Sequence, residues 1–491
     1  MVIVTVDKGA AAPAYRQICE RLIQLVDSGA LVDGDRLPPT RVLAQTAGIH
    51  RTTVMRAYGE LWALGYLESR PGSYSTVRRP SRAVATTRRG TDSLIDWNAV
   101  SRPAVRRAAE DAALLARDHV AAPGVINFAR LSADPALAPV DQIRRCLKQV
   151  LLENGRLLVD YGDPAGYQPL REALARRMRV HGVTVSAEEI LITNGAQHGL
   201  DLVMRLLTRP GDRVVTESPS YASALSLFRL HELRVHGIPM RSDGMDLDAL
   251  EATLKRTRPA LVYTIPNFQN PTGLTTGQAR RERLLAVCEA RRVPILEDGF
   301  EEEMKYFGKA VLPVKSMDTR GAVIYVGTLS KVVFPGLRVG WIAAPRACVD
   351  RLAAIQRASC LSGNLLAQAA VERFFSLGAY DAYLRRTHAL YRKRMQTMLR
   401  SLRRFAPPGV EWTEPAGGYA LWLRVNADQG TEETIYEHLL RAGVKVAPGA
   451  PFFPKSPPAR PQFRLSVACV TEEEIVEGCR RLGRALRSAR R

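Results

Sequence analysis

The sequence predicts a multidomain protein in which a small, mainly α-helical N-terminal domain is joined by a basic linker to a larger α/β domain. Three observations predict this. The apolar residues of positions 13–65 recur at helical spacing, residues 78–124 are polar, basic and interrupted by chain breakers, and apolar β-branched runs alternate with helical patterns from about residue 125 onward. The predicted domains are therefore 1–77 and 125–491, with the linker at 78–124.

Composition narrows the class of protein. The chain has 491 residues, of which 46% are hydrophobic and 24% charged, as in a soluble globular protein with a large core. Its formal net charge is +21. Such an excess attracts polyanions, and nucleic acid is the first candidate, although an Arg-rich and Ala-rich composition can also reflect a GC-rich genome.

Cysteine usage and hydropathy indicate the compartment. Seven cysteines are scattered without a CxxC pair, which argues against both a disulfide framework and a zinc site. No apolar run is long enough to cross a bilayer, and residues 1–13 lack the basic start and long apolar run of a signal peptide. We therefore expect a cytoplasmic protein without a structural metal or a membrane partner.

The first 77 residues have the pattern of a winged helix-turn-helix. A helix from Pro13 to Gly29 is followed by a short helix that Thr40 caps, and then by a second helix that ends at Gly65. Two strand patterns at 66–69 and 74–77 flank the turn sequence RPGS and form the wing. In this motif the second helix of the pair lies in the major groove of DNA.

The candidate DNA contacts cluster at helix starts and at the wing. Arg offers a forked donor to guanine edges and phosphates, and Thr offers a hydroxyl and a methyl. The alternative is that these side chains form a solvated face. The candidates are Arg41, His50, Arg51, Thr52, Thr53, Arg56 and Gly72.

This domain resembles the GntR family. The stretch LPPTRVLAQTAGIHRTTVMRAYGELWALGYLESRPGS matches the family pattern over nearly the whole domain, and the resemblance implies double-stranded operator DNA as a partner. One departure is His50, which replaces the usual Ser or Thr and so loses a strong helix N-cap. His50 can still donate a hydrogen bond to a phosphate.

A second cluster of side chains fits pyridoxal 5′-phosphate. This cofactor needs an amine for its Schiff base and donors for its phosphate dianion. Lys331 can supply the amine, while Thr328, Ser330 and Arg338 can hold the phosphate. Asp298, after a buried strand, can pair with the pyridinium nitrogen, although a capping or surface Asp is the usual explanation of such a residue.

Four further segments extend this cluster. Ala196 and Gln197 begin a helix, where backbone N–H groups can cradle a phosphate. Asn270 precedes a rigid turn, and Tyr221 offers a flat ring for stacking. Arg464 is an isolated basic residue among apolar ones and can clamp a carboxylate with two hydrogen bonds.

These elements, in this order, resemble fold-type I aminotransferases from about residue 125 to 485. The similar segments are YGDPAGYQPLREALA, NPTG, SKVVFPGLRVGW, EPAGGYALWL and VAPGAPFF. The resemblance implies Lys331 as the Schiff-base lysine, and the roles above for the other residues, with Asn270 near the ring hydroxyl. It also implies that Tyr161 reaches the phosphate of a neighbouring subunit, and hence a homodimer.

The two halves together resemble the MocR subfamily of GntR transcription regulators. One departure is Phe300, where these regulators usually have a Tyr whose hydroxyl lies near the cofactor's O3′. The resemblance implies a regulator that senses an amino acid or amine by aldimine exchange at Lys331. Two alternatives remain open: a working aminotransferase with an appended DNA-binding head, and a sensor of the cofactor that needs no amine.

Overall fold

The computed structural model describes residues 5–7, 10, 12–68, 74–78, 94–117, 122–309, 311–426 and 430–488. The chain forms two compact units, Met1–Trp97 and Asn98–Arg491. The helices in the described part of the chain include none that is long and apolar enough to cross a membrane.

The N-terminal unit is a helix-turn-helix followed by a two-stranded hairpin, as predicted. Its elements are α1 (Ala14–Asp27), α2 (Thr40–Thr46), α3 (Arg51–Ala63), β1 (Leu67–Glu68) and β2 (Thr76–Val77). The two strands are antiparallel. Ile18, Leu22, Leu43, Val54 and Leu61 are buried together, so one apolar stripe from each helix forms the core. The predicted wing turn with Gly72 lies outside the described residues.

The predicted cap of α2 was wrong by one position. Pro39 is the N-cap, with φ −53° and ψ 144° typical of an extended residue, and Thr40 is already helical. The extended segment therefore ends at Pro39, whose side chain has no hydrogen-bonding group, and no side chain caps this helix. The Thr40 hydroxyl instead accepts a hydrogen bond from Arg51 Nε at 3.4 Å.

The larger unit is built from sheets with helices packed around them. Its strands are β3 (Ile126–Asn127), β4 (Ile190–Thr193), β5 (Arg213–Ser218), β6 (Arg234–Arg241), β7 (Gly244–Met245), β8 (Leu261–Thr264), β9 (Ile295–Asp298), β10 (Val323–Thr328), β11 (Gly340–Ala343), β12 (Glu411–Trp412), β13 (Ala420–Arg424), β14 (Val444–Lys445), β15 (Ala447–Pro448) and β16 (Gln462–Ser466). Its helices, after the short α4 (Trp97–Val100) at the unit boundary, are α5 (Pro103–Ala116), α6 (Val140–Asn154), α7 (Gln168–Val180), α8 (Ala196–Leu207), α9 (Ala222–Leu230), α10 (Leu247–Arg256), α11 (Gln278–Ala290), α12 (Arg346–Cys360), α13 (Leu365–Ser376), α14 (Ala379–Phe405), α15 (Glu432–Arg441) and α16 (Glu472–Ser488).

The central sheet has the order β4-β11-β10-β9-β8-β5-β6-β7. The five strands from β10 to β6 run parallel, whereas β11 is antiparallel to both of its neighbours. Strands β4, β5, β8, β9 and β10 lie at the five predicted apolar runs and are buried along most of their length. The prediction of an open, mostly parallel sheet is confirmed. A smaller antiparallel sheet has the order β12-β13-β16-β15, and β3 pairs with β14.

Helix α5 belongs to the larger unit rather than to the predicted linker. Arg229 of α9 donates to Asp111 Oδ2 at 2.7 Å, and Arg102 Nη1 lies 3.3 Å from Glu232 Oε1. The boundary at residue 97 therefore differs from the predicted linker end at 124. The physical reason is that one face of this Ala-rich helix packs on α9, which its sequence alone did not reveal.

Candidate functional site

The carboxyl ends of the parallel strands meet at one edge of the central sheet, and an open cavity of about 620 Å³ lies there. Most of the side chains proposed for the cofactor converge on it although they come from distant parts of the chain. The cavity is lined by Ala196, Gln197, Tyr221, Ile265, Asn270, Asp298, Phe300, Thr328, Ser330, Lys331, Pro335 and Arg338.

Asp298 is the last residue of β9 and is only 2% exposed. The Tyr263 hydroxyl donates to its Oδ2 at 2.7 Å, while Oδ1 has no hydrogen-bond partner in the described part of the chain. Burial raises the pKa of Asp298 to about 6, although the hydrogen bond from Tyr263 lowers it. A buried carboxylate oxygen that lacks a partner in a cavity is suited to a cationic N–H group.

Lys331 lines the same cavity as Asp298. Its Nζ donates to the backbone oxygen of Leu131 at 2.6 Å, and its own backbone oxygen accepts from the Tyr419 hydroxyl at 2.7 Å. Glu301, 1% exposed, accepts from the Tyr419 backbone N–H at 3.2 Å. Burial lowers the pKa of Lys331 and raises the pKa of Glu301, while their mutual attraction opposes both shifts. A lysine with a lowered pKa is a better nucleophile.

One end of the cavity is built to receive an anion. Gly195 has φ +86° and is the N-cap of α8, so the first backbone N–H groups of a twelve-residue helix face this end. A Cβ at Gly195 would lie 2.7 Å from Arg338 Nη2, which explains the glycine. Thr328 Oγ1 donates to Ser330 Oγ at 3.1 Å. Two hydroxyls, a guanidinium and a helix N-terminus together form a set of phosphate donors.

A second cavity of about 480 Å³ adjoins the first and shares Tyr221, Asn270 and Lys331 with it. Arg464 lines this second cavity and is 6% exposed. Its guanidinium donates to Ala129 O at 2.7 Å and to Asn270 Oδ1 at 3.2 Å. The fold therefore brings Arg464 into the same cavity as Lys331, although the two residues are far apart in the sequence.

Phe300, at which the sequence departs from the pattern of the related regulators, lines the first cavity. Its neighbour Gly299 packs against Tyr325. At Gly299 an added Cβ would lie 2.0 Å from the Tyr325 hydroxyl, so Tyr325 fills the space that a side chain at 299 would need. Glycine at 299 and tyrosine at 325 are thus compatible with each other, and a larger residue at 299 is not.

The remaining predicted residues are Tyr161 of the larger unit and the candidate DNA contacts of the N-terminal unit. Tyr161 is 76% exposed and lines neither cavity within its own chain. In the N-terminal unit, Arg41, His50, Arg51 and Thr52 are exposed, and Thr53 is half-buried. His50 Nδ1 lies 2.8 Å from Thr52 Oγ1.

Arg56 differs from the other predicted DNA contacts. Its guanidinium lies 3.9 Å from the centre of the Tyr15 ring, and its Nε is 3.8 Å from Glu60 Oε1. Both partners belong to the same unit as Arg56, so this side chain already packs against α1 and pairs along α3. A structural role within the head therefore competes with DNA contact at this position.

Sequence reasoning missed several residues that support the site. Tyr263 looks like an ordinary residue of a buried strand, and nothing in its local pattern indicates the hydrogen bond to Asp298. Glu301 is one of three successive glutamates, a pattern that does not indicate its electrostatic attraction to Lys331. Tyr419 stands inside the segment EPAGGYALWL, whose resemblance to the aminotransferases implies no particular role for the tyrosine. Leu115, which lines the second cavity, fell in the predicted linker.

Comparisons with known proteins match both units. Residues 126–482 match the family model described as aminotransferase class I and II, and residues 14–77 match that of the bacterial regulatory proteins of the gntR family. The uncharacterized HTH-type transcriptional regulator YisV of Bacillus subtilis is 31% identical, over 89% of this chain and 89% of its own. The probable rhizopine catabolism regulatory protein MocR of Rhizobium meliloti is 30% identical, over 97% and 94%.

A solved structure matches the larger unit. LysN, the alpha-aminoadipate aminotransferase of Thermus thermophilus, is 33% identical, with a TM-score of 0.73 over 80% of this chain and 99% of its own. Together with the site, these matches define a fold-type I aminotransferase domain preceded by a GntR helix-turn-helix domain. The chain belongs to the MocR subfamily of GntR regulators. The cofactor of its aminotransferase domain is pyridoxal phosphate, and the partnerless Oδ1 of Asp298 and the anion-binding end of the cavity fit that molecule.

Proposed function

We propose that the chain is a DNA-binding transcription regulator that binds an amino acid or amine effector at Lys331. One observation carries this proposal. The partnerless carboxylate oxygen of Asp298 and the amine of Lys331 line one cavity, in a chain that also carries a GntR domain. A metabolic enzyme has no evident use for a DNA-binding domain, whereas a regulator that senses a ligand needs such a domain to act on DNA.

In this proposal, different residues of the chain bind different parts of the cofactor. Pyridoxal phosphate supplies an aldehyde carbon that bonds amines and a ring that withdraws electrons. Lys331 provides the bonding amine, Asp298 holds the ring nitrogen, Asn270 lies near the ring hydroxyl and Tyr221 stacks on the ring. The phosphate is held by Thr328, Ser330, Arg338 and the backbone N–H groups of Ala196 and Gln197.

The effector completes the site. Its carboxylate would pair with Arg464. Its amine and the Lys331 amine would compete for the aldehyde carbon that the cofactor supplies, and Leu131 O, 2.6 Å from Lys331 Nζ, would accept a hydrogen bond from the lysine whenever it is not bonded to that carbon. Tyr161, which is exposed on its own chain, contributes to the partner's phosphate site in a homodimer.

The DNA-binding surface of this proposal is the start of α2 and α3 with the wing. Arg41, His50, Arg51, Thr52 and Thr53 contact the duplex, and Gly72, outside the described residues, is a further predicted contact. Arg56 acts mainly through Tyr15 and Glu60, so its contribution to DNA contact is smaller. Effector binding can change DNA affinity only if it favours one arrangement of the protein over another.

The experiment first selects binding sequences from a random duplex pool with the full-length protein. Affinity for the selected duplex is then measured with and without each amino acid that changes the absorption spectrum of the bound cofactor. Coupling of typical size changes that affinity about 5- to 150-fold. Lys331→Ala should abolish both the covalent attachment of the cofactor, read by borohydride reduction and mass spectrometry, and the response to effector.

A second candidate function is a working aminotransferase with a DNA-binding head. It is favoured by Asn270 and Arg464, both buried at the site and in hydrogen-bond contact with each other at 3.2 Å. Unchanged DNA affinity in the presence of every spectrally active amino acid, together with rapid turnover to the keto acid, would decide for this enzymatic function.

A further inference from the structure

The second cavity combines a polar end with an apolar wall. Lys331 and Arg464 are its two cationic residues, and Tyr221, Ser223 and Asn270 are its neutral polar ones. The remaining lining residues are apolar or small: Leu115, Ala129, Leu131, Ala222 and Phe452. No Asp or Glu is among the described residues that line it.

The apolar wall is part of a packed cluster of side chains and not a set of isolated exposed residues. Ala129, Ala222 and Phe452 are buried against Trp422, and the Trp422 and Phe452 rings meet edge to face with centres 5.6 Å apart. Leu115 packs against this cluster while it remains partly exposed toward the cavity. The wall is therefore preformed, which reduces the cost of ordering it on binding.

Helix α5 holds Leu115 in this place through contacts at three points. Arg102 pairs with Glu232 near the helix start, and Asp111 accepts two hydrogen bonds from Arg229 at 3.1 and 2.7 Å. After the last turn, Lys445 Nζ donates to the backbone oxygen of Arg117. The side chain at position 115 is thus a fixed part of the cavity rather than the end of a loose linker.

We propose that the effector is an α-amino acid with an uncharged, apolar side chain, and that Leu115 selects for it. This inference rests on the proposed function, which assigns the effector's amine to Lys331 and its carboxylate to Arg464. Arg464 then pairs with the α-carboxylate, and the Lys331 Nζ donates to the backbone oxygen of Leu131, so a second carboxylate on the effector would be desolvated without a dedicated counter-charge. An ammonium would face no carboxylate, and only an apolar group gains from contact with Leu115, Leu131 and Phe452.

The test uses the full-length protein loaded with its cofactor and titrates it with L-leucine, L-norvaline, L-alanine, L-glutamate and L-lysine. The readouts are the dissociation constant from the cofactor's absorption change and, independently, from calorimetry. We expect leucine and norvaline to bind about 100-fold or more tightly than alanine, which lacks at least two of their side-chain carbons, since each methylene in an apolar pocket contributes roughly 10-fold or more. Glutamate and lysine should bind more weakly than alanine, because their side-chain charge would be desolvated without a counter-charge.

Leu115→Arg adds a cation to the wall and should reverse the ranking in favour of glutamate. Leu114→Arg is the matched control, because Leu114 is 41% exposed and does not line this cavity, so its ranking should stay that of the parent. Leu115→Ala, which adds no charge, should weaken the binding of leucine and leave the binding of alanine unchanged. Thermal unfolding of each variant shows whether it folds, and Leu115→Ala provides the test if Leu115→Arg does not fold.

The outcomes separate this inference from the proposed function. If no amino acid changes the spectrum or produces binding heat, the proposed function itself fails. If glutamate or lysine binds as tightly as leucine, or if Leu115→Arg and Leu115→Ala both leave the ranking unchanged, the apolar effector class is overturned while effector binding stands.

Discussion

Tyr263 and Asp298 lie on adjacent parallel strands, and the Tyr263 hydroxyl donates to Asp298 Oδ2 at 2.7 Å. This contact holds Oδ2, whereas Oδ1 has no hydrogen-bond partner in the described part of the chain. The hydrogen bond also favours the charged form and lowers the pKa of Asp298, against the burial that raises it to about 6. Tyr263 is therefore a positioning residue for the carboxylate rather than a ligand of the cofactor.

Tyr263→Phe should weaken pyridoxal phosphate binding about tenfold, since a hydrogen bond to a charged group is worth about 1.5 kcal/mol or more. Loss of this hydrogen bond raises the pKa of Asp298 above about 6, so a smaller fraction of the carboxyl is ionised in mildly acidic solution. The loss of cofactor affinity should therefore be largest in mildly acidic solution and smaller in mildly alkaline solution. Equilibrium titration with the cofactor under both conditions measures this. Tyr325→Phe is the control, because that hydroxyl is 3.4 Å from the backbone oxygen of Gly299; an equal loss in both variants would contradict the assignment.

Glu217→Gln should change how stability depends on pH. Glu217 is buried, and burial raises its pKa to about 7 although Thr264 and the Ile265 N–H donate to it. The folded state therefore holds the proton more tightly than the unfolded chain, and its stability falls as pH rises from 4.5 to about 7. The glutamine stays neutral, so the free energy of unfolding should rise by about 2 to 3 kcal/mol relative to the parent between about pH 5 and pH 8.

Denaturant unfolding of the full chain, followed by tryptophan fluorescence, gives the two pH profiles for this comparison. Glu172→Gln, at an exposed position of α7, should reproduce the parent profile. A difference between the Glu217→Gln and parent profiles that stays constant with pH would show that the carboxyl is ionised in both states.

Gly299→Ala should destabilise the larger unit by about 1 to 3 kcal/mol, the usual effect of overpacking a core. The added methyl would lie 2.0 Å from the Tyr325 hydroxyl. Tyr325→Leu should recover part of the loss in the double variant, and a double-mutant cycle measures that coupling. Gly155→Ala adds the same methyl where φ is −51° and no other atom lies within 4 Å, and it should be tolerated. Simple additivity of the two substitutions would disprove the steric relation.

Arg51→Ala and Arg41→Ala should each weaken binding of the selected duplex and lower the slope of log affinity against log salt by about one. Both side chains are exposed at helix starts. Arg21→Ala, on the exposed face of α1, removes the same charge without removing a proposed contact. Fluorescence anisotropy over a salt series measures all three, and equal slopes for Arg51→Ala and Arg21→Ala would exclude a phosphate contact at position 51.

Much of the organisation follows from the sequence alone. Helical spacing around Ile18, Val54 and Leu61 determines the head, because each helix has one apolar face to bury. Apolar runs with helical patterns between them determine a mostly parallel sheet, since parallel strands need crossover helices. Lys331, Asp298 and Arg338 could be proposed because amine, carboxylate and guanidinium groups follow strand ends, where sites of α/β proteins lie.

Other features depend on contacts between residues far apart in the chain. Leu115 looks like part of a basic linker until α5 packs on α9, and Arg464 reaches Lys331 only through the pairing of β13, β15 and β16. Tyr263, Glu301 and Tyr419 have no local signal, because a buried tyrosine or glutamate is defined by what it contacts and not by its neighbours in sequence. The sequence by itself determined the two-domain organisation and the cofactor class, and it indicated Lys331 as the candidate lysine. The tertiary structure decided which carboxylate oxygen lacks a partner and which apolar side chains line the second cavity, because burial and desolvation exist only in the folded chain.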